Sequence, residues 1–179
     1  MVAEHTRAQE TAALAAFVNG ERSNPPSIAL LEAQVTRSPR DGRAWVLLAR
    51  RHFEVDDFPA AASAYEKALA ASPKVARDPL VWCEFADAVG MSRGGSLKGR
   101  PQELIRTALA IDASHPRALE MAGSAEYEAG NFARTLAYWE PLLAQLQAGT
   151  AAWQELDAAV SRVRRLSGAG PDSPRAARH

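Results

Sequence analysis

Apolar residues fall at helical spacing along most of this chain. Trp45, Leu48 and Ala49 share one face of a predicted helix, and Phe58, Ala61, Tyr65 and Ala68 share one face of the next. Trp153, Leu156, Val160 and Val163 repeat the spacing near the end, as expected for an amphipathic helix over residues 150–165. Residues 4–18 and 27–35 are Ala- and Leu-rich periodic stretches, parted by the breaker Asn19-Gly-Glu-Arg-Ser-Asn-Pro-Pro26. The tail from Ser167 to His179 reads as disordered. The pattern predicts an all-α chain.

Self-comparison turns the helices into repeats. Trp45-Val-Leu-Leu-Ala49 aligns with Trp82-Cys-Glu-Phe-Ala86, and Phe58 to Glu66 aligns with Phe132 to Glu140. Units starting at Gly42, Pro79 and Pro116 recur every 37 residues. The pattern resembles the tetratricopeptide (TPR) hairpin with three residues added to each nominal period of about 34. Small residues at Ala49 and Ala61 let the two helices of a hairpin approach closely, Trp45, Tyr65 and Leu48 fill the gaps between hairpins, and Pro73 ends the second helix. In the third unit Leu119 replaces Trp, Thr135 replaces the second small residue, and Gly123 takes the small position of its first helix. The expected fold is a right-handed TPR solenoid. Residues 1–40 would be N-terminal helices with a partly degenerate repeat, followed by units 42–78, 79–115 and 116–148. A capping helix over 149–166 and a disordered tail over 167–179 would complete the chain.

Composition narrows the function. Lys plus Arg and Asp plus Glu are both 21, so no net field favours nucleic acid or an anionic membrane. Cys83 is the only cysteine, which excludes an internal disulfide and a Cys-rich zinc site. Thr11 to Val18 is far too short to span a membrane, and Glu4 and Glu10 flank it where a signal peptide would be basic. His5, His52, His115 and His179 form no metal-binding or acid–base motif, and no nucleophile–base pair is apparent, so neither a cofactor nor catalysis is expected. His52 is expected at the position between hairpins that Tyr usually holds.

Two stretches invite chemistry. The run Gly94-Gly-Ser-Leu-Lys98-Gly-Arg100 resembles a phosphate cradle only superficially, since the P-loop needs another spacing after a strand. It reads better as an ordered connection between two helices. Counting positions 2, 5, 9 and 12 of each first helix names a concave face. It comprises Arg43, Val46, Arg50 and Phe53, then Leu80, Cys83 and Asp87, then Arg117, Glu120, Ser124 and Tyr127. Arginines, carboxylates and aromatics in this mixture suit a peptide or helix, and the plainer alternative is a solvated helical face. Cys83 in that face reads as a small packing residue with Glu84 and Asp87 close in sequence. The Lys and Asn that clamp a C-terminal carboxylate in chaperone-type TPR domains are replaced by Val46 and Arg50.

Several strings carry a more specific likeness. Phe85-Ala-Asp-Ala-Val, Gly94-Gly-Ser-Leu-x-Gly-x-Pro101, Leu104-Ile, Ala108-Leu-Ala-Ile-Asp112, His115-Pro-x-Ala-Leu119, Gly123 and Trp139-Glu-x-Leu-Leu143 stand in order. Over residues 30–165 the chain resembles the cytochrome c maturation TPR proteins of the CcmI/CycH and NrfG type. Ala113 stands where that family usually has Pro, and the family's usual N-terminal membrane anchor is not seen. The resemblance implies a periplasmic, non-catalytic holdase. Its client would be apocytochrome c, held largely through the C-terminal segment and presented to other haem ligation components. Any membrane contact would come through a missing anchor or a partner subunit. The alternative is a general TPR scaffold with a client unrelated to cytochromes.

Overall fold

The structure, a computed structural model, describes residues 25–168. The helix expected over 4–18 and the tail from residue 169 onward lie outside those residues. The described residues are all-helical, in the TPR class. The chain divides into two compact units, Met1–Arg77 and Asp78–His179. The first contains α1 (Ile28–Arg37), α2 (Gly42–Glu54), α3 (Phe58–Ala71) and the single turn α4 (Pro73–Ala76). The second contains α5 (Pro79–Met91), α6 (Arg100–Ile111), α7 (Pro116–Glu128), α8 (Phe132–Gln145) and α9 (Ala151–Leu166).

Every described helix but α6 and α8 starts where a side chain takes an otherwise orphaned backbone N–H. Asp41 accepts from the Ala44 amide at 3.1 Å, Asp57 from Ala60 at 3.2 Å, Asp78 from Leu80 at 3.0 Å and Thr150 from Trp153 at 3.3 Å. His115 does the same for Ala118 through Nδ1 at 3.4 Å. Proline follows the cap directly at Pro79 and Pro116, where its fixed φ and absent N–H cost nothing. The helices at Gly42, Pro79 and Pro116 are the first members of hairpins α2–α3, α5–α6 and α7–α8.

In the first unit α2 packs on α3 and α1 lies against α2. Ala49, Ala61, Tyr65 and Leu31 are buried between them. A methyl on Gly42 would sit 2.5 Å from Cβ of Ser72, so the start of α2 leaves no room for a side chain against the end of α3. Pro73 stops α3 as the sequence predicts, but it also opens α4. Ser72 ends one helix and caps the next, accepting from the Val75 amide at 3.4 Å. His52 is half-buried and borders a cavity of about 370 Å³ with Val35 of α1 and Ala64 of α3.

The second unit repeats the close approach more severely. The Trp139 indole lies on the Cα of Gly123, and a Cβ there would fall 2.1 Å from its Nε1. Trp139 Nε1 donates to the Glu120 carbonyl at 3.2 Å. Thr135 is fully buried, and its hydroxyl is satisfied by the Asn131 carbonyl at 3.3 Å. The cap helix α9 packs on α8, where Arg164 reaches Glu140 at 2.8 Å. The glycine-rich run is an ordered connection: Arg93 and Gly95 amides both donate to the Gly90 carbonyl, and Gly94, Gly95 and Gly99 take positive φ. Asp112 ties the α6–α7 turn, accepting from the Ser114 amide at 2.9 Å and its hydroxyl at 2.7 Å.

Two outcomes follow. Gly123→Ala forces the Trp139 indole out of place and is expected to lower stability by about 1–3 kcal/mol, the usual cost of overpacking; an unchanged denaturation midpoint would contradict this packing. The Ser114 hydroxyl and then its amide hold the Asp112 carboxyl below its ordinary 3.8. A depressed pKa means that its stabilisation is present above pH 3.8 and is lost as pH falls below it. Asp112→Asn should therefore lower the melting temperature at pH 7, with the gap to wild type closing in acid.

Candidate functional site

The predicted contact residues are best followed unit by unit. In the first unit Arg43 is exposed, Arg50 and Phe53 are half-buried, and the Phe53 ring meets Phe58 edge-on at 5.1 Å. In the second unit three of them converge. Arg117 of α7 donates to the Asp87 carboxylate of α5 at 2.8 Å and to the Glu120 carboxylate at 2.8 Å. Burial works against the Arg117 charge, but the hydrogen bonds and charges of Asp87 and Glu120 outweigh it and raise its pKa. Ser124 donates its hydroxyl to the Glu120 carbonyl at 2.9 Å. Tyr127 stacks on Trp139 with centroids 5.9 Å apart and planes 23° from parallel, with Phe132 also 5.9 Å away. Leu80 and Tyr127 are each 37% exposed.

Val46 and Cys83 are not on the surface, contrary to the position count. They are 6% and 0% exposed. Each lies three residues before a small residue of the hairpin interface, Ala49 or Ala86, and so shares its helix face. Closure of the hairpins that buries those alanines draws Val46 and Cys83 inward as well. Glu120 stands at the same distance from Gly123, but its longer side chain reaches out to Arg117.

The second unit therefore presents a charge cluster, one arginine paired with two carboxylates and so one negative charge in excess, on the two helices that also project Leu80 and Tyr127. Exposed ion pairs of this kind contribute about 0–1 kcal/mol to stability, so the cluster matters more as a polar surface than as a brace. Trp139 was not among the expected site residues, although it positions Tyr127 and covers Gly123. The Gly at a small position opposite an aromatic in the aligned Phe-to-Glu segments was the signal for it. Among the described residues no group of three or more His, Cys, Asp or Glu side chains could hold a metal, and no helix is long and apolar enough to cross a membrane.

Comparison with known families gives one result. Residues 28–152, more than half of the chain, match the family model described as cytochrome c-type biogenesis protein H TPR domain. No curated protein matches the chain.

The geometry also fixes the behaviour of the thiol. Burial, then the Asp87 carboxylate, pushes Cys83 from 9.0 up to about 12. At pH 8 roughly one thiol in ten thousand is then ionised. Native protein should resist iodoacetamide at pH 8 and react fully once denatured; rapid native alkylation would contradict the buried placement. Because the folded pKa is raised, this group's contribution to stability is intact below pH 9.0 and declines as pH rises from there to about 12.

Proposed function

Because the chain belongs to the family of the cytochrome c-type biogenesis protein H TPR domain, with a protein-interaction role in cytochrome c maturation, we propose that its first-helix faces hold apocytochrome c. In this reading the protein is a periplasmic, non-catalytic adaptor. It keeps a C-terminal segment of the unfolded client bound and presents the chain to the haem ligation components. The observation that carries it is the face of α5 and α7: Leu80 and Tyr127 project beside the Asp87, Arg117 and Glu120 cluster, all within the residues matched to the family.

An amphipathic helix fits such a face by laying apolar side chains on the projections and its polar edge along the cluster. The affinity expected is modest. Two anchors at about 1.5–3 kcal/mol each give roughly 3–6 kcal/mol gross, and ordering a flexible segment costs about 2–5. Further contacts must supply the rest. Binding in the micromolar range or weaker suits a protein that must give its client up. Folding of the client around its attached haem would withdraw the helix and drive release.

Calorimetry with a synthetic apocytochrome c C-terminal peptide tests this. Wild type should bind with a Kd of roughly 1–100 μM. Tyr127→Ala and Arg117→Glu should each weaken binding about tenfold, consistent with loss of an aromatic anchor or reversal of a charge. Identical binding in all three proteins, or no binding to any, overturns the assignment of the client to this face.

A further inference from the structure

A second recess opens on the other side of α7. It is an open cleft of about 600 Å³ within the second unit, bounded by α6, α7 and α8. At about 100° per residue, its α7 wall (Ala122, Ala125, Glu126) lies roughly opposite Arg117, Glu120, Ser124 and Tyr127. The two faces can be occupied at the same time. The volume lies in the range of about 300–1,000 Å³ typical of ligand sites, but the cleft is a trough and not an enclosed chamber.

The floor is apolar, built from Ile105, Ala122 and Ala125, and the rim is cationic. Lys98, Arg106 and Arg134 face a single carboxylate, Glu126. That carboxylate is answered within the wall, by Asn131 Nδ2 at 2.7 Å and Arg134 at 3.7 Å. Arg106 donates only to the Gln102 carbonyl, and neither Arg106 nor Lys98 has a carboxylate partner among the described residues. Among the described residues two cations without a carboxylate partner therefore flank an apolar floor, in a chain whose formal net charge is zero.

We propose that this cleft docks a short acidic and aliphatic peptide segment of a partner protein. A carboxylate of the segment meets Lys98 and Arg106, and an aliphatic side chain rests on Ile105, Ala122 and Ala125. The inference does not rest on the client reading above. It gives Lys98, part of the glycine-rich connection, a binding role that its sequence did not suggest.

The probe is an acetylated, amidated heptapeptide of three Glu, two Leu and two Ala, titrated into the full chain and followed by amide chemical shifts. Shifts should centre on α6 and the cleft side of α7, with a Kd of roughly 0.1–1 mM at low salt. Lys98→Glu/Arg106→Glu should weaken binding at least about fivefold, as should high salt, whereas Tyr127→Ala should leave it unchanged. The Tyr127→Ala arm separates this site from the client face, so failure of one reading is distinguishable from failure of the other. Equal binding of the peptide with Lys in place of Glu, or indifference to the double variant, overturns the proposal. So does the same pattern of shifts from sodium acetate at equal concentration, which would mark a simple anion site. Concentration-dependent shifts of the cleft resonances without peptide would identify a second copy of this chain as the occupant and overturn it too.

Discussion

How closely two helices of a hairpin approach is set by the smallest residue between them, and the second unit depends on that distance. At Gly123 there is no room even for a methyl, because the Trp139 ring occupies the space. The ring is then fixed by three independent contacts: the glycine beneath it, the Glu120 carbonyl at its nitrogen and the Tyr127 ring stacked on it. Glu120 in turn holds Arg117, and Arg117 reaches Asp87 on the neighbouring hairpin. One missing side chain thus organises an aromatic stack and a charge cluster on two helices.

What could be read from the letters was whatever is local. The starts of α2, α5 and α7 are written in single caps and prolines, and the 37-residue recurrence follows from them. The glycine-rich connection was legible as ordered because only a defined turn needs positive φ at Gly94, Gly95 and Gly99. The turn α4 was missed because Pro73 both ends one helix and begins another, and a stop signal does not announce a restart. Position counting placed Asp87, Arg117, Glu120 and Tyr127 on the expected helices, but it could not see the ion pair across 30 residues of chain. It also put Val46 and Cys83 on the surface, since a count assigns a face and not the depth to which hairpin closure sinks it. The cleft was invisible for the same reason: its floor joins residues of two helices that only folding brings side by side.

In the proposed role, the pairing of Arg117 with two carboxylates has a functional side. The cluster carries only one negative charge in excess, and a polar client edge must compete with bonds that exist before it arrives. Selection then falls to shape and to the apolar projections, and a folded client that has withdrawn its helix has little to hold on to. The buried thiol fits the same logic, because a sulfur that is covered and protonated does not react with an unfolded client.

The cleft has a further consequence for how this molecule meets others. Three cations and one carboxylate leave that wall with an excess of two positive charges, so in a chain of zero net charge the remainder must carry two negative ones. Such a protein has no net charge with which to draw partners in, so any attraction of this wall is local. It acts within about a Debye length, ~8–10 Å in physiological salt, once a partner is already close. An acidic segment is then held by the cleft after encounter instead of being steered to it from a distance.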